Sequence, residues 1–456
     1  MNKNSKLMII ISTLIFFALV LGACATASPA PEVQPAAPEQ VIVEKTVVVE
    51  KEVIVTVTGT PAPQPEPEPV TLTYYTFSAA PDHMEDLGQM IQIFETAHPN
   101  IKINVETAPF DSYFTKLQTL IAGGMAPDIF ELNYENFVTY ASRGVLLDLS
   151  PLADSDPSFD ASIYYPRANE AFTYNGMQLG LPATFSTVVL FYNKDLFDQA
   201  GVAYPEEDWT WADAVEAGKK ITDPAAGIYG LHSGIQFWEF YKKAAQNNCR
   251  FFNEDNTEVL INSPECVQAL ETMISFIDTE KVMPSEAEMG GISDGDMFLQ
   301  GKLGMDVTGI WMFAAFNDAP FAWDIEVEPG MAEHATHFFA NAASVFAATK
   351  HPQEAWEWVK FFTSDPEMAR IRVESGWELA ALSNPAFFDE YLKQTPPDNR
   401  QAVFNSLKYA VVPPVIERQG EFQDAVGLLL DQARLGQLTP QQALDQAKLE
   451  IEALLQ

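Results

Sequence analysis

Aromatic side chains stand beside hydroxyl, amide and carboxyl side chains at several places in this sequence, mostly where a strand-like run ends. A sugar ring offers apolar C–H faces that stack on flat aromatic rings, and hydroxyls that need paired hydrogen-bond donors and acceptors. These combinations therefore indicate recognition of a carbohydrate. The candidate ligand-binding residues are Phe77, Ser78, Asn133, Tyr134, Glu135, Thr184, Phe185, Ser186, Phe237, Trp238, Glu239, Trp311, Trp377 and Glu378. Four other tryptophans are assigned to packing: Trp209, Trp211, Trp356 and Trp358.

Motifs for covalent chemistry are missing from the sequence. It has no Gly-x-Ser-x-Gly nucleophile elbow and no His-Glu-x-x-His zinc motif. The segment Gly295–Lys302 has one residue too many for a phosphate-binding P-loop, and Leu303 stands where a hydroxyl is needed to hold magnesium. With 63 acidic residues a pair of catalytic carboxylates is not excluded, but no spacing singles one out. We therefore predict no catalytic residue and no cofactor.

Metal-binding patterns are weak as well. His334 and His337 have helical spacing, but no third ligand is evident beside them. Asp294-Gly-Asp296 and Asn253–Glu258 offer oxygen ligands, yet neither matches the twelve-residue EF-hand spacing, and the second is better interpreted as a hairpin turn. The sequence therefore predicts no metal.

Charge and length limit the classes of function and fold. The 456 residues hold 26 Lys and Arg against 63 Asp and Glu, a net charge of −37, which excludes a phosphate-neutralising nucleic-acid surface. The same charge disfavours anionic ligands, whereas neutral sugars are indifferent to it. A hydrophobic fraction of 47% can build a large core, and the length favours two lobes or domains.

The N-terminus has the pattern of a secreted lipoprotein. Lys3 and Lys6 precede an apolar stretch, and residues 1–23 are typical of a signal peptide. Leu21-Gly-Ala-Cys24 resembles the bacterial lipobox, in which the cysteine is acylated and becomes the first mature residue. The prediction is a protein held by lipid at the outer face of the cytoplasmic membrane. An ordinary signal peptide that happens to contain a cysteine is the alternative.

Residues 24–69 are predicted to be the lipidated cysteine and a tether. After Cys24 the segment contains nine prolines and no aromatic residue, so it cannot form a core. A six-residue Val-rich repeat begins at Val41, Val47 and Val53. An extended stalk is the favoured interpretation, with a strand pair or self-association as alternatives.

The two remaining cysteines, Cys249 and Cys266, are 17 positions apart. In a secreted chain whose third cysteine is lipidated, a disulfide is the natural pairing. Two separate buried thiols are the alternative.

The hydrophobic pattern predicts an α/β fold. Thr71–Phe77 and Ile101–Val105 have strand character, and between them Leu87, Ile91 and Phe94 share one helix face, which gives a β–α–β unit. Further strand-like runs and helices alternate to the C-terminus. This alternation favours largely parallel sheets.

A series of short motifs covers most of residues 71–456 and resembles, in order, family 1 extracellular solute-binding proteins of bacterial ABC importers. Each motif alone is weak, but the ordered set behind a lipobox is specific. The motifs are Ile93–Ile101, Leu117–Ile129, Gly180–Pro182, Leu190–Phe197, Ala200–Val202, Trp209–Trp211, Phe298–Met305, Gly309–Trp311 and Glu354–Phe361.

The resemblance implies a type II, maltose-binding-like periplasmic-binding-protein fold, with two α/β lobes joined by a multi-strand hinge. Lobe 1 would comprise 70–183 and 330–364, and lobe 2 would comprise 187–326 and 370–456. It also implies that a monomeric, non-enzymatic receptor captures a sugar or oligosaccharide between the lobes and delivers it to the transmembrane permease subunits. In such proteins Trp311 would occupy a frequent aromatic position of the cleft.

Three alternatives remain open at this point. A binding protein of the same fold would take a polyamine, peptide or glycerol derivative if Glu135, Glu239 and Glu378 all pointed into the cleft. A secreted glycoside hydrolase or lyase would need two cleft carboxylates. A sensor subunit that hands its closed form to a signalling receptor cannot be separated from a transporter subunit by sequence.

Overall fold

The computed structural model describes residues 69–78, 81–253, 257–376 and 378–456. Cys24, the predicted tether up to residue 68 and Trp377 lie outside the described residues. Within the described part of the chain, every helix is too short or too polar to span a membrane.

Nine of the eleven described strands have seven residues or fewer, and the other two have thirteen and ten residues. They are β1 (Val70–Thr76), β2 (Ile101–Thr107), β3 (Ile129–Asn133), β4 (Thr173–Tyr174), β5 (Met177–Gln178), β6 (Leu181–Asn193), β7 (Met305–Gly309), β8 (Trp323–Glu326), β9 (Thr336–Val345), β10 (Leu379–Ala380) and β11 (Ala410–Val411).

Helices separate most of these strands. They are α1 (Pro81–Ala97), α2 (Phe110–Ala122), α3 (Tyr134–Ser142), α4 (Ser150–Ser155), α5 (Pro166–Ala171), α6 (Lys194–Ala200), α7 (Trp211–Ile221), α8 (Phe237–Gln246), α9 (Pro264–Asp278), α10 (Glu286–Met289), α11 (Asp294–Leu299), α12 (Phe313–Phe316), α13 (Pro352–Ser364), α14 (Pro366–Ser375), α15 (Gln401–Ser406), α16 (Gln419–Arg434) and α17 (Pro440–Leu454).

Nine strands form one mixed sheet in the order β10-β6-β9-β3-β1-β2, with β7 and β8 paired to β6 and β11 paired to β9. The sequence pattern favours largely parallel sheets, and the structure corrects this. Among the described strands only the β1–β2, β1–β3 and β9–β11 pairs are parallel. The long strands β6 and β9 are antiparallel, because the chain runs across the molecule on β6 and returns on β9.

Strand β6 connects two halves of the molecule. Its first part, Leu181–Thr187, pairs with β9, whereas its second part, Val188–Asn193, pairs with β7 and β8. All thirteen of its residues are buried. Because both parts belong to one continuous strand, β6 carries the chain from the sheet of β1 to β3 into the half that contains β7 and β8.

Apolar side chains pack on both faces of the sheet. In the first half, Trp356 and Trp358 of α13 are fully buried against Leu72 and Tyr74 of β1. On the opposite face, Phe130 belongs to a second core cluster with residues of α2 and α3. In the second half, α8, α9, α16 and α17 pack around a core of their own.

Local sequence explains where several helices begin. Thr210 forms a capping box with Asp213 at the start of α7, and Thr439 forms one with Gln442 at the start of α17, with Pro440 in its first turn. The side chain of Asn133 accepts from the backbone N–H of Asn136 and so fixes the turn from β3 into α3.

Cys249 and Cys266 are joined by a disulfide, as predicted, with their Cα atoms 5.1 Å apart. The bond connects the end of α8 to the first turn of α9. The predicted turn near Asn253 is consistent with an antiparallel bridge between Phe252 and Val259, although residues 254–256 lie outside the described set.

Candidate functional site

The crossing strands present two different faces. Val188 of β6 and Phe339 of β9 line one cavity. Phe185 of β6 and Phe338 of β9 line another. Side chains alternate between the two faces of a strand, so each face carries every second residue. We call these the front cavity, which contains Phe339, and the rear cavity, which contains Phe338.

Three aromatic side chains shape the front cavity, whose volume is about 540 Å³. Phe339 stands between two tryptophans, with its ring centroid 6.1 Å from that of Trp238 and 5.3 Å from that of Trp311. All three rings are partly exposed. Trp238 lies in the first turn of α8, Trp311 follows β7, and Phe339 lies on β9. Because β7 and β9 both pair with β6, their registers bring Trp311 and Phe339 together.

Polar groups share the wall with these rings. The cavity is lined by backbone or side-chain atoms of Gln236, Thr308, Ser293, His232, Glu239, Asp294, Asp431 and Arg434, among others. A surface of flat rings interrupted by donors and acceptors matches what a sugar requires.

A row of polar side chains continues from this cavity along the same face of the sheet. Asn133, Asn341 and Thr184 are register partners on three neighbouring strands. Asn341 Nδ2 donates to Thr184 Oγ1 at 3.1 Å and to Glu378 Oε2 at 3.0 Å, and Thr184 Oγ1 donates to Glu378 Oε2 at 2.7 Å. Asn341 is two residues from Phe339, about 7 Å along the strand. The polar row therefore lies next to the front cavity.

Glu239 lines the front cavity and is part of a buried ion network. Its carboxylate accepts from Lys242 Nζ at 2.9 Å and from Lys243 Nζ at 3.3 Å. Both ammonium groups also contact Glu328 at 2.6 Å, and both lysine side chains are fully buried. Burial alone would raise the pKa of Glu239, but the two ammonium groups outweigh burial and lower it. Glu239 is therefore an ionised acceptor that is held in place.

Glu135, in the first turn of α3, reaches the same region through a chain of hydrogen bonds. Its Oε1 lies 3.0 Å from His337 Nε2, and the Tyr241 hydroxyl lies 2.5 Å from His337 Nδ1. Burial raises the pKa of Glu135 to about 8 and lowers the pKa of His337 well below its usual value. Both groups are therefore neutral at pH 7. His337 in turn stacks on Phe339, with ring centroids 3.3 Å apart.

Glu131, on β3, is a second buried carboxyl group with a raised pKa. Its Oε2 accepts from Thr76 Oγ1 at 2.5 Å, and Thr76 Oγ1 also accepts from the backbone N–H of Ser78. Burial, reinforced by the charge of Glu378, raises the pKa of Glu131 to about 7 against the opposing effects of the Thr76 hydrogen bond and Arg372. This hydrogen bond ties the end of β1 to β3.

Two of the three carboxyl groups that would recognise a cationic ligand are protonated or paired with lysines. Glu135 is protonated at neutral pH, Glu239 is paired with two lysines, and Glu378 accepts from Thr184 and Asn341. Glu135 and Glu239 therefore offer no unpaired negative charge to a ligand, whereas Glu378 is held by two neutral donors. The site is therefore better suited to a neutral molecule than to a polyamine.

The rear cavity is larger, at about 1480 Å³, and is lined mainly by apolar atoms. Tyr134 and Phe185, both predicted ligand contacts, line it, and Phe185 stacks on Phe338 with ring centroids 5.8 Å apart. Despite its size it is not the candidate site, because the polar row and both front-cavity tryptophans lie on the opposite face of the crossing strands.

The other predicted residues are distributed unevenly. Ser186 is buried on the front-cavity face, and its hydroxyl has no partner among the described residues. Phe77 packs edge-on against Phe110 and Tyr113, beside α2 and away from the three front-cavity rings. Phe237 is a core residue of the second half, only 4% exposed, because the first turn of α8 directs it inward and Trp238 outward.

Sequence reasoning missed most of the residues that line the front cavity, and Phe339 and His232 are two instructive examples. Phe339 was not a candidate, although its spacing of two from Asn341 places both side chains on one face of β9. His232 has no motif around it and reaches the cavity only because it lies beside Asp306 of β7. The rejected pair of histidines does not meet: His334 Nδ1 lies against the carbonyl of Glu328, while His337 contacts Tyr241 and Glu135.

The sequence model of the family described as bacterial extracellular solute-binding protein matches residues 78–369. The protein belongs to this family. The match spans both halves of the molecule and the two long crossing strands, so the predicted resemblance is confirmed.

Solved structures agree with this assignment. An ABC substrate-binding protein from Listeria monocytogenes, solved in complex with cycloalternan, is 45% identical, with a TM-score of 0.83 over 85% of this chain and 99% of that chain. The acarbose-binding GacH receptor of Streptomyces glaucescens, 22% identical, has a TM-score of 0.74 over 84% and 98% of the two chains. The two-lobed, maltose-binding-like α/β fold is thus confirmed.

Among curated proteins, the arabinooligosaccharide-binding protein of Bacillus subtilis is 24% identical over 412 residues, which span 84% of this chain and 92% of that protein. These relatives are binding proteins, not enzymes.

Proposed function

We propose that this protein is the extracytoplasmic receptor of an ABC importer, which captures an oligosaccharide in the front cavity and delivers it to the permease. The observation that carries the proposal is the 45% identity to a Listeria monocytogenes protein that was solved with cycloalternan bound. Cycloalternan is therefore the first ligand to test. No catalytic step is part of the proposed role.

The chemistry of the front cavity supports a neutral sugar. Trp238, Trp311 and Phe339 offer ring faces, and the polar row of Asn341 and Thr184 offers donors and acceptors close by. Two of the nearby carboxyl groups, Glu135 and Glu239, are protonated or paired with lysines, so they attract a cation only weakly. A polyamine or peptide is the less favoured ligand for the same reason.

The proposed capture involves closure of two lobes, 70–183 with 330–364 and 187–326 with 370–456, about the crossing strands. A sugar that contacts both lobes stabilises the closed state by the difference in its affinity for the closed and open states. The permease would recognise that closed state. We further propose that the receptor is a monomer, held outside the cytoplasmic membrane by acylation of Cys24 and reaching its permease on the residue 25–69 tether.

The test is isothermal titration of the purified protein with cycloalternan, maltooligosaccharides and arabinooligosaccharides, with spermidine as a cationic comparison. Phe339 and Phe338 provide a matched pair of variants, because they are adjacent on β9 and face different cavities. We expect Phe339→Ala to weaken sugar binding by at least about tenfold, the loss typical of an aromatic anchor, and Phe338→Ala to leave it within about threefold.

Binding of spermidine and of no sugar would contradict the proposed ligand class. A sugar that binds the wild type and is lost only in Phe338→Ala would instead contradict the choice of cavity. Circular dichroism and thermal unfolding of both variants show that each is folded.

A further inference from the structure

A cluster of three side chains in the second half of the molecule has the composition of a cation site. His232 Nδ1 lies 3.3 Å from Asp306 Oδ1 and 3.7 Å from Asp294 Oδ2. One nitrogen or oxygen atom from each of the three residues lies within 4.8 Å of the others. The three residues come from separate segments: a loop, the second residue of β7 and the first residue of α11.

One ordinary hydrogen bond, between His232 Nδ1 and Asp306 Oδ1, accounts for only part of this cluster. A single Nδ1–H group of His232 has one proton to donate, whereas two carboxylates approach it. Asp306 is fully buried, and its second oxygen, Oδ2, has no hydrogen-bond partner among the described residues. The two oxygens of a carboxylate are about 2.2 Å apart, so Oδ2 stays close to the cluster. A buried oxygen without a donor is costly, and a cation is one group that satisfies it.

The distances suit one shared ion. Ligands about 2.1 Å from a tetrahedral metal are about 3.4 Å from each other, close to the two observed separations. An imidazole nitrogen with two carboxylates is a donor set for Zn²⁺ or Mn²⁺, since imidazole suits zinc and carboxylate suits manganese. His232 and Asp294 also line the front cavity. The remaining coordination positions of such an ion would face that cavity.

We infer that His232, Asp294 and Asp306 form a binding site for one divalent first-row metal ion, in the wall of the front cavity. The inference does not depend on which solute the cavity holds. It differs from the EF-hand pattern considered for Asp294-Gly-Asp296, because Asp296 is exposed on the same helix and is not part of the cluster.

The test uses the purified protein, stripped of metal with a chelator and dialysed, then titrated with ZnCl₂ by calorimetry and with MnCl₂ by electron paramagnetic resonance. We expect one ion per chain. Asp306→Asn should abolish binding, and Asp294→Asn should weaken it by at least about tenfold, in the range seen when support of a metal site is removed. Asp296→Asn is the matched control, since it removes the same charge two residues away and should change the affinity by less than about twofold.

The Asp294 side chain is 38% exposed, so we expect Asp294→Asn to fold. This variant keeps the test decisive if Asp306→Asn fails to fold. Saturation at one ion per chain that is sensitive to Asp294 and insensitive to Asp296 would support the site. Failure to take up either metal would overturn it. So would equal losses in Asp294→Asn and Asp296→Asn, which would mean diffuse attraction to an acidic surface.

Discussion

Replacing Glu135 by Gln should change how the stability of the protein depends on pH. Glu135 is fully buried, and burial raises its pKa from 4.5 to about 8. Glutamine has nearly the same shape and stays neutral. With His337 neutral and Nδ1 accepting from Tyr241, the remaining ring proton is on Nε2 and donates to Oε1 of residue 135 in either protein. The substitution therefore removes the titration and keeps the contact.

The sign and size of the effect follow from proton linkage. Below pH 4.5 both the folded and the unfolded chain hold the proton on Glu135. Between pH 4.5 and 8 the unfolded chain releases this proton while the folded chain keeps it. The free energy of unfolding therefore falls progressively as the pH rises through this window. Each pH unit of that window is worth about 1.4 kcal/mol, which gives an upper limit of about 4 to 5 kcal/mol by pH 9.

The assay is urea unfolding of wild type and Glu135→Gln at intervals from pH 5 to pH 9. We expect the wild type to lose several kcal/mol relative to the variant across that range. Contributions from Glu131 and from distant surface groups cancel in the difference. Glu106→Gln, at an exposed position of β2, is the control and should run parallel to the wild type. Parallel curves for Glu135→Gln and wild type would refute the assignment of a protonated, buried Glu135.

Three further predictions concern the site and its support. Trp311→Ala should weaken sugar affinity, measured by calorimetry, by at least about tenfold, because the substitution removes a partly exposed ring from the binding surface. A loss below about twofold would contradict the role of Trp311 as a sugar contact. Glu328→Gln should reduce the free energy of unfolding by about 3 to 5 kcal/mol, because two buried ammonium groups lose a partner. Glu390→Gln, which breaks an exposed ion pair, is the control and should leave the free energy of unfolding nearly unchanged. Equal effects of the two substitutions would contradict the buried network. Replacing both Cys249 and Cys266 by Ser should lower the free energy of unfolding in urea by about 3 kcal/mol, because the disulfide closes a loop of 17 residues in the unfolded chain. An unchanged urea midpoint would contradict a stabilising role of the disulfide.

Much of the fold could be predicted because local patterns were strong. The strand Thr71–Phe77 and the last helix after Thr439 carry clear periodicity and capping residues, and they lie within one residue of their predicted starts. Trp356 and Trp358, assigned to packing by their amphipathic helix, are fully buried. The mixed sheet was missed because alternating helices and strands do not reveal that β6 and β9 run antiparallel.

The candidate site was harder to predict, because proximity in it depends on pairing between distant strands. Trp238 and Trp311 were candidates from their local context, but Phe339 joins them only through the register of β9 against β6. Phe185 looked equivalent to Thr184 in sequence, yet strand alternation directs it into the rear cavity. Whether each predicted contact touches a ligand stays a prediction.

The most direct test of the account is a crystal structure of the protein with cycloalternan, or with whichever oligosaccharide binds most tightly. The account predicts a sugar ring on the face of Trp311 or Trp238, with hydroxyl groups hydrogen-bonded along the row of Thr184, Asn341 and Glu378. Sugar density in the rear cavity, beside Tyr134 and Phe185, would contradict the central claim.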